Sequence, residues 1–355
     1  MHRALLFLAA SAALFAQAVV SPEVNAGGRV TFRIAAPKAT EVLFYGDFMP
    51  VGTTKPMQKD SKGVWSVTTD TLPPSVYIYH FVVDGITMAD PVNPRMKLRA
   101  RTSASLLEVP GDGNAEWQPR DVPHGTVEIN YQKSKVLNGE TRWIWIYTPP
   151  GYAASGNKKF PVLYLFHGSN DTAGGWVLAG HANFILDNLI AEKKAEPMIV
   201  VMPFGHAVPF GSPKEVQAKN VDTYEQYLLQ DVMPMVRSKY RINGTRDKTA
   251  IAGLSMGGGQ SLGIGLKHLD LFSAIAVFSS SFPQGIEKYA ADLKKANPLV
   301  WIGCGKEDAV YPRSADLAEK LKIAGVRHTW RATSGAHTYT VWRQYLAEFA
   351  PLLFH

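Results

Sequence analysis

The chain has 355 residues, of which 46% are hydrophobic, and its formal net charge is +7. This length predicts two domains, the apolar content excludes wholesale disorder, and the scattered lysines and arginines indicate solvated surface rather than a nucleic-acid site. The single cysteine, Cys304, excludes an internal disulfide, and its apolar surroundings predict a buried side chain.

Residues 1–18 have the pattern of a secretory signal peptide. Met1-His2-Arg3 is a short positive start, residues 4–15 are apolar, and Ala16-Gln17-Ala18 is an A-x-A cleavage site. We expect cleavage after Ala18 and a secreted or periplasmic protein. An N-terminal core helix or a membrane anchor is the alternative, but the apolar stretch is short for a span, and no later segment is long enough for one.

Residues 19–110 predict a small all-β domain. Apolar and polar residues alternate along several short runs, and Asp84-Gly85 is a hairpin turn. Strands at this spacing predict a β-sandwich. The predicted strands are 29–34, 41–45, 63–67 and 76–83.

Four segments of this domain resemble the immunoglobulin-like N-terminal module of glycogen-branching enzymes and isoamylases, which is a carbohydrate-binding family. The resemblance implies an immunoglobulin-like sandwich. Trp65 is the only tryptophan of residues 19–110, and we expect it in the core. His80 occupies a position where the starch-binding members of the family have a lysine. We therefore expect a structural or active-site-flanking role rather than glycan binding. The segments are Tyr45-Gly46-Asp47-Phe48, Gly63-Val64-Trp65, Tyr77–Gly85 and Asp90–Pro94.

Residues 111–125 are rich in Gly, Pro, Asp and Asn and predict a flexible linker. In residues 126–355 apolar strands alternate with helices, which predicts a doubly wound α/β domain with a mostly parallel sheet. Catalytic side chains then belong in loops after the carboxyl ends of strands. The predicted strands are near 127–131, 142–147, 162–166, 199–202, 249–252, 274–278, 299–302 and 328–331, and the helices are near 183–194, 223–239, 258–267, 315–324 and 341–353.

The run Ala250–Gly259 contains a G-x-S-x-G box centred on Ser255. The box follows a strand candidate and precedes a helix candidate, which is the setting of a nucleophile elbow. This turn is so sharp that Gly253 and Gly257 can carry almost no side chain. Ser255 is the predicted nucleophile, although an ordinary glycine-rich turn is the alternative until partner residues are found.

Cleavage of an ester by a serine needs a base and an orienting acid, and in α/β-hydrolases their chain order is Ser, Asp or Glu, then His. Asp308 follows the strand candidate 299–302 and has Glu307 as its competitor. His337 lies in the last loop, before the final helix candidate. It is the only histidine that satisfies both order and loop placement, so we predict Asp308 as the acid and His337 as the base.

Two backbone N–H groups are expected to form the oxyanion hole. One belongs to Met256, at the start of the helix after the nucleophile, where the helix dipole favours negative charge. The other is assigned to Ser169, in the turn His167-Gly168-Ser169 after the strand candidate 162–166. A simple tight turn is the alternative interpretation of that loop.

Residues 126–355 resemble carbohydrate esterase family one, which contains feruloyl esterases, acetylxylan esterases and esterase-D-like enzymes. The resemblance implies an α/β-hydrolase fold and serine esterase activity. One departure is Phe204-Gly205-His206, where relatives often have Asn or Asp before the glycine. The segments that carry the resemblance are Ile144–Tyr152, Val162–Gly168, Asn183–Ile190, Ile199–Pro203, Gly253–Gly258 and Gly335–Arg343.

The predicted chemistry is acyl transfer through an acyl-enzyme on Ser255. His337 removes the serine proton, Asp308 holds the imidazole, and the N–H groups of Met256 and Ser169 bind the oxyanion. No metal or organic cofactor is needed, and the sequence has no His, Cys and Asp cluster at metal-ligand spacing.

Export, the glycan-module-like domain and the esterase resemblance together imply ester decorations on plant polysaccharide as substrates. Feruloyl esters of xylan are the preferred substrate prediction, and acetyl esters of xylan are the next. Aromatic residues on predicted loops could wall an acyl pocket, with core packing as the alternative for each. The pocket candidates are Trp176, Phe204, His206, Phe210, Phe282 and Tyr339.

Two further functions stay open at this stage. Iron-siderophore esterases also pair an N-terminal β domain with this fold, and the positive charge suits an anionic ferric complex, so a siderophore trilactone is an alternative substrate. The other alternative is a non-catalytic glycan-binding protein on an inactive hydrolase fold. The intact set of Ser255, Asp308 and His337 argues against it.

Overall fold

The computed structural model of the protein describes residues 19–280 and 285–355. The predicted signal peptide, residues 1–18, and the pocket candidate Phe282 therefore lie outside the described residues. The described chain forms a β-sandwich followed by an α/β domain. None of its helices is long and apolar enough to cross a membrane.

The N-terminal part is a sandwich of two sheets, as predicted. Its strands are β1 (Glu23–Val24), β2 (Val30–Ala35), β3 (Val42–Gly46), β4 (Lys55–Pro56), β5 (Gln58–Lys59), β6 (Val64–Thr68), β7 (Ser75–Val83), β8 (Ile86–Met88), β9 (Met96–Leu98) and β10 (Ser103–Val109). One sheet has the order β1-β2-β6-β5, and the other has the order β4-β3-β7-β10-β9 with β8 paired to β7. Phe32, Trp65 and Tyr79 pack between the sheets, which confirms the core position of Trp65. Asp84 and Gly85 both have positive φ and form the predicted hairpin turn between β7 and β8.

The α/β domain contains one eight-stranded sheet. Its strands are β11 (Thr126–Lys133), β12 (Thr141–Thr148), β13 (Val162–Phe166), β14 (Ile199–Pro203), β15 (Thr249–Leu254), β16 (Ala274–Phe278), β17 (Leu299–Gly305) and β18 (Thr329–Thr333). The order is β11-β12-β14-β13-β15-β16-β17-β18. Strands β13 to β18 pair in parallel with one another, whereas β12 is antiparallel to both β14 and β11. All five residues of β13 are buried, as expected of a central strand that is covered on both faces.

Helices cover both faces of this sheet. They are α1 (Gly175–Leu178), α2 (Ala182–Ala191), α3 (Lys214–Gln217), α4 (Asn220–Tyr227), α5 (Met233–Lys239), α6 (Met256–Lys267), α7 (Ala290–Ala296), α8 (Tyr311–Ile323) and α9 (Tyr339–Phe349). Helices α1, α2 and α9 contribute to the apolar core on one face, and α4, α5, α6 and α8 contribute to the core on the other. A π-helical turn, Leu228–Val232, joins α4 to α5.

Two strands of the sandwich pack on both of their faces. Because side chains alternate along a strand, Tyr79 and Phe81 of β7 point into the sandwich, whereas Val76 and Ile78 belong to the apolar core of the α/β domain. Leu106 of β10 joins them there. Helix α9 packs directly on β7. The sandwich and the α/β domain are therefore joined by a hydrophobic interface that is continuous with the core of the α/β domain.

The segment 111–125, for which the sequence predicts a flexible linker, packs against the α/β domain. Gln118 is buried, and Trp117 packs against the core of the α/β domain. The side-chain amide of Asn188 in α2 donates to the carbonyls of Glu116 and Gln118, both at 2.8 Å. Backbone carbonyls must be hydrogen-bonded either to protein groups or to water. The amino-acid composition of a segment does not show which of the two it uses.

A chain that begins at Thr126 is expected to unfold at a lower temperature than the full chain. Its truncation would expose the face of α9 that packs on β7. It would also leave Arg343, which is only 2% exposed, without the Ser75 hydroxyl and the Val76 carbonyl to which it donates at 2.8 and 3.0 Å. The apolar side chains returned to water lose about 25 cal/mol per Å² of buried area, and Arg343 loses the hydrogen bonds that fix it, so the free energy of unfolding falls. Calorimetry of both chains measures the difference, and equal Tm values would contradict this account.

Candidate active site

The predicted nucleophile lies at the sharp turn between β15 and α6. Ser255 has φ 52° and ψ −118°, a conformation that a residue with a side chain rarely adopts. Its N–H donates to the Phe278 carbonyl at 2.8 Å, and its carbonyl accepts the N–H of Gly259 at 3.1 Å. A Cβ on Gly253 would lie 2.4 Å from the Gly257 carbonyl oxygen. The neighbouring backbone thus holds Ser255 in this turn and leaves room only for glycine beside it.

The predicted acid and base meet in loops that follow the paired strands β17 and β18. His337 Nδ1 lies 2.7 Å from Asp308 Oδ2, and Asp308 Oδ1 accepts the N–H of Val310 at 2.9 Å. Burial alone would raise the pKa of Asp308, but the hydrogen bond to His337 and its charge outweigh burial and lower it. Because an ionised Asp308 can only accept, Nδ1 of His337 carries the proton, and Nε2 is the basic nitrogen of the neutral ring.

Glu307, the competitor for the acid role, has a different partner. Its carboxylate accepts the N–H of Gly335, and its own N–H donates to the Gly335 carbonyl at 3.3 Å. Gly335 has φ 108° and lies two residues before His337. Glu307 therefore holds the loop of the predicted base, whereas Asp308 contacts the base itself.

Two residues that the sequence did not indicate enclose the His337–Asp308 pair. The ring of Trp342 packs edge-on against His337, with centroids 4.8 Å apart. Its indole N–H donates to the hydroxyl of Ser279 at 2.9 Å. Ser279 is fully buried, and a hydrogen bond from it also helps to lower the pKa of Asp308. The orientation of the imidazole is therefore fixed from two sides.

The loop after β13 brings Ser169, one of the two predicted oxyanion donors, to the nucleophile. A Cβ on Gly168 would lie 3.3 Å from the Cβ of Ser255, so this loop passes directly beside it. Ser169, the next residue, is exposed and lines the cavity around Ser255. Met256 is the first residue of α6, where a backbone N–H has no partner within the helix.

His167 sets the orientation of the Gly168–Ser169 peptide. The N–H of Gly205 donates to Nε2 of His167 at 2.8 Å, so Nδ1 carries the proton and donates to the Gly168 carbonyl at 2.8 Å. Burial lowers the pKa of His167 to about 4, which keeps the ring neutral. Because C=O and N–H point in opposite directions across a trans peptide, the Ser169 N–H is turned away from His167. His206 Nε2 donates to the Ser169 carbonyl at 2.6 Å.

The carboxylate of Asp171 joins this loop to the base loop and to the sandwich. Its backbone N–H donates to the Gly168 carbonyl at 3.1 Å, and its Oδ2 accepts the Tyr339 hydroxyl at 2.5 Å. Its Oδ1 contacts the ammonium of Lys97 on strand β9, and both of these side chains are buried. Burial would raise the pKa of Asp171, but Lys97 keeps it below its ordinary value. The carboxylate therefore stays ionised inside the interface.

A cavity of about 210 Å³ opens beside Ser255, and both parts of the chain line it. Its α/β-domain wall includes the elbow, the predicted oxyanion loop and the base. Its sandwich wall comes from strands β3, β7 and β9 and the residues that follow β3 and β9. The sandwich residues are Tyr45, Asp47, Ile78, Lys97 and Arg99, and the α/β residues are Gly168, Ser169, Asn170, Asp171, Leu254, Ser255, His337, Thr338, Tyr339 and Trp342.

Of the described pocket candidates, only Tyr339 lines this cavity. Trp176 is fully buried behind Tyr339, with ring centroids 5.6 Å apart, so its predicted pocket position is wrong. The predicted pocket positions of Phe204 and Phe210 are also wrong, because both rings pack on His206, at centroid distances of 5.4 and 5.2 Å, outside this cavity. His206 does not line the cavity but supports the loop that does.

The arrangement contains the parts that ester hydrolysis needs. Ser255 and His337 line the same cavity, although no hydrogen bond joins their side chains among the described residues. In unliganded hydrolases this contact is often long and tightens when substrate binds. An ester carbonyl beside Ser255 would have a nucleophile, a base with its acid, and the N–H groups of Met256 and Ser169 within the same space.

Comparison with known proteins identifies the family. Residues 134–353, more than half of the chain, match the protein family described as "Putative esterase", and the chain belongs to this family. Residues 18–93 match carbohydrate-binding module 48, the isoamylase N-terminal domain. Both resemblances seen in the sequence are thereby confirmed: the protein is an esterase like those of carbohydrate esterase family one, with an N-terminal module of this type.

Two curated relatives share this sequence pattern. The endo-1,4-beta-xylanase/feruloyl esterase of Xylanibacter ruminicola is 30% identical over 345 residues, which is 94% of this chain and 46% of the relative. The acetyl esterase of Caldicellulosiruptor saccharolyticus is 23% identical over 229 residues, which is 54% of this chain and 82% of the relative. The chain thus spans less than half the length of the first relative.

Two solved structures share the fold. A ferulic acid esterase from Anaeromyces mucronatus has a TM-score of 0.61 and 25% identity, and the alignment covers 69% of this chain and 96% of that one. The enterobactin esterase of Shigella flexneri has a TM-score of 0.66 and 19% identity, with 92% and 93% covered. The second likeness shows the fold alone, but it extends over both the sandwich and the α/β domain.

Asp308→Asn is expected to lower kcat by about 10⁴-fold, because the amide can no longer hold the imidazole in the productive tautomer. Steady-state hydrolysis of p-nitrophenyl acetate measures the loss. Glu307→Gln is the matched control, since its amide oxygen can still accept the Gly335 N–H, and its kcat should stay within about three-fold of wild type. A larger loss for Glu307→Gln than for Asp308→Asn would reverse the assignment of the acid.

Lys97→Met is expected to destabilise the protein by about 3–5 kcal/mol, because it leaves Asp171 as an unpaired buried carboxylate. Displacement of the oxyanion loop should also lower kcat by about 10²-fold, the scale of a lost oxyanion donor. Urea unfolding and p-nitrophenyl acetate kinetics measure the two effects.

Two variants control for the Lys97 substitution. Lys62→Met alters an exposed lysine of the same domain and should leave both quantities unchanged. Adding Asp171→Asn to Lys97→Met removes the unpaired charge and should recover part of the lost stability. If Lys97→Met matched wild type in stability and kcat, the sandwich would have no part in holding the oxyanion loop.

Proposed function

We propose that the protein is a serine carboxylesterase that works through an acyl-enzyme on Ser255. The observation that carries the proposal is the convergence of three loops on one cavity. These loops supply the elbow serine, the His337–Asp308 pair at 2.7 Å and the oriented peptide of Ser169. The order of these groups along the chain is the order of α/β-hydrolases.

In the proposed mechanism His337 Nε2 takes the Ser255 proton while the serine oxygen attacks the ester carbonyl. The N–H groups of Met256 and Ser169 stabilise the oxyanion that forms, and Asp308 stabilises the imidazolium. His337 then returns its proton to the leaving alcohol, which produces the acyl-enzyme. Water enters by the same route, and His337 again serves as base and then as acid to release the carboxylic acid.

The proposed substrates are feruloyl esters of plant polysaccharide. Two similar proteins support this class of substrate. The relative that aligns with 94% of this chain is a xylanase/feruloyl esterase, and the solved structure that aligns with 69% of it is a ferulic acid esterase. The aromatic side chains of Tyr339 and Trp342 line the cavity and suit a flat aryl group. The acetyl esterase relative supports acetyl esters as the alternative acyl group.

The wild-type protein is expected to release ferulate from feruloylated arabinoxylan oligosaccharides with kcat/KM about ten-fold or more above that for acetate release from acetylated xylooligosaccharides. An aryl acyl group gains apolar contacts that acetyl cannot make, and such differences are worth about 10- to 200-fold. Liquid chromatography of the released acids measures both rates, with Ser255→Ala as the inactive control. A preference for acetyl esters would contradict the feruloyl assignment.

A siderophore trilactone is the second candidate substrate. It is favoured by one observation: the enterobactin esterase structure aligns with 92% of the chain, whereas the ferulic acid esterase structure aligns with 69%. The net charge of +7 also suits an anionic ferric complex. Hydrolysis of ferric enterobactin with a higher kcat/KM than any feruloyl ester would replace the first proposal with this one.

We further propose that the esterase is exported. The support is the charged start, apolar stretch and A-x-A site of residues 1–18. A mature chain that begins at Val19 in the periplasm or medium of the producing cell is the expected outcome. Recovery of the unprocessed chain in the cytoplasm would contradict export.

A further inference from the structure

The cavity beside Ser255 has a polar side that the acyl-transfer steps do not use. The sandwich builds it from Tyr45 at the end of β3, Asp47 just after β3, and Arg99 just after β9. Lys97 lines the same side, but its ammonium is already paired with Asp171. Three polar side chains of the sandwich thus line the same cavity of about 210 Å³ as the predicted nucleophile.

Asp47 presents an unused hydrogen-bond acceptor at this wall. Its Oδ1 accepts the N–H of Ile78 at 3.0 Å, and its own N–H donates to the Ile78 carbonyl at 2.9 Å, so the carboxyl group is fixed in place. Its Oδ2 is enclosed and has no hydrogen-bond partner among the residues that the structure describes. Burial raises the pKa of Asp47 to about 7 against the opposing effects of the Ile78 N–H, Arg343 and Arg99. An enclosed acceptor without a partner costs free energy that a bound donor would recover.

Arg99 supplies the complementary donors. Its guanidinium is half-buried, lines the cavity, and makes no hydrogen bond or ion pair with another described residue. Burial raises the pKa of both Asp47 and Tyr45, and Arg99 is close enough for its charge to oppose that rise. A guanidinium has several N–H donors in one plane. If a ligand hydroxyl bound to Asp47, Arg99 could donate to a second ligand oxygen beside it.

Tyr45 completes the wall and holds its shape. Its ring stacks on His80 with centroids 4.7 Å apart and an interplanar angle of 28°. Burial lowers the pKa of His80 to about 4, so the stacked ring is neutral and adds no charge that would compete with Arg99. The wall therefore has one acceptor, one cation and one fixed aromatic ring.

We propose that Asp47 and Arg99 form a recognition site for two adjacent oxygens of the substrate, of which at least one carries a hydrogen. Asp47 Oδ2 accepts the hydroxyl hydrogen, and Arg99 donates to the neighbouring oxygen. This inference rests on the proposed function and deepens it. Two parts of a feruloyl polysaccharide have this chemistry: the methoxyphenol end of the acyl group and a vicinal diol of the sugar. In either case the sandwich determines specificity through a direct contact beside the nucleophile.

The test compares esters that differ only in these oxygens. Asp47→Asn keeps the shape of the side chain but replaces one acceptor by a donor, and Arg99→Gln removes the cation. Asp70→Asn, an exposed position of the same domain, is the matched control and should behave as wild type. The substrates are methyl ferulate, methyl cinnamate, feruloyl arabinofuranose and p-nitrophenyl acetate.

If the site binds the methoxyphenol, Asp47→Asn should lower kcat/KM for methyl ferulate by about 10- to 100-fold, and by at least ten times more than for methyl cinnamate, which lacks ring oxygens. If it binds the sugar, the excess loss should appear for feruloyl arabinofuranose relative to methyl ferulate. Either pattern supports the site and identifies its ligand. An equal loss for all four esters, or a loss below two-fold for all of them, would overturn it.

A protein that fails to hydrolyse feruloyl esters would refute the proposed substrate without deciding this site. Vanillyl alcohol and methyl arabinofuranoside are then used as competitive inhibitors of p-nitrophenyl acetate hydrolysis, with benzyl alcohol as the control. Asp47→Asn should raise the inhibition constant of one of them by ten-fold or more. Unchanged constants, or no inhibition of wild type by either compound, would contradict the site. If Asp47→Asn does not fold by circular dichroism, Arg99→Gln decides, because Arg99 has no hydrogen bond among the described residues to lose.

Discussion

The buried carboxylate of Asp171 is the contact on which the geometry of the site depends. It binds Lys97 of the sandwich, the hydroxyl of Tyr339 after the base loop, and, through its backbone N–H, the carbonyl of Gly168 in the oxyanion loop. An ion pair at this depth contributes little net stability, but removing either partner leaves a charge that the interior cannot solvate. The pair therefore ties the position of the sandwich to the position of the catalytic loops.

The sandwich, which matches a carbohydrate-binding module, packs closely on the α/β domain. Its only tryptophan, Trp65, packs in its own core, and the outer faces of β7 and β10 pack on the α/β domain. The wall that carries Asp47 and Arg99 lines the cavity beside Ser255. The module thus forms part of the cavity beside Ser255.

The sequence predicted the elements whose signals are local. Near-continuous apolar runs identified the central strands, and the G-x-S-x-G box, the loop position of Asp308 and the final loop of His337 identified residues that the structure brings to one cavity. It failed where the signal depends on three-dimensional neighbours. Trp176 and Phe204 have the composition of pocket residues, but only packing decides whether an aromatic ring faces a cavity or the core. Lys97, Asp47 and Arg99 carry no pattern that shows which face of a sandwich meets another domain, and the polar segment 111–125 conceals its backbone contacts with Asn188.

Labelling with a p-nitrophenyl alkylphosphonate, followed by peptide mass spectrometry, tests the role of Ser255 most directly. The full-length protein should take up one phosphonate per chain on the peptide that contains Ser255, and Ser255→Ala should take up none. The rate of labelling should fall when Lys97 is replaced by methionine, because the displaced oxyanion loop stabilises the phosphonate oxygen less well. Stoichiometric labelling at another residue, or full-rate labelling of the Ser255→Ala protein, would contradict the assigned nucleophile and with it the site described above.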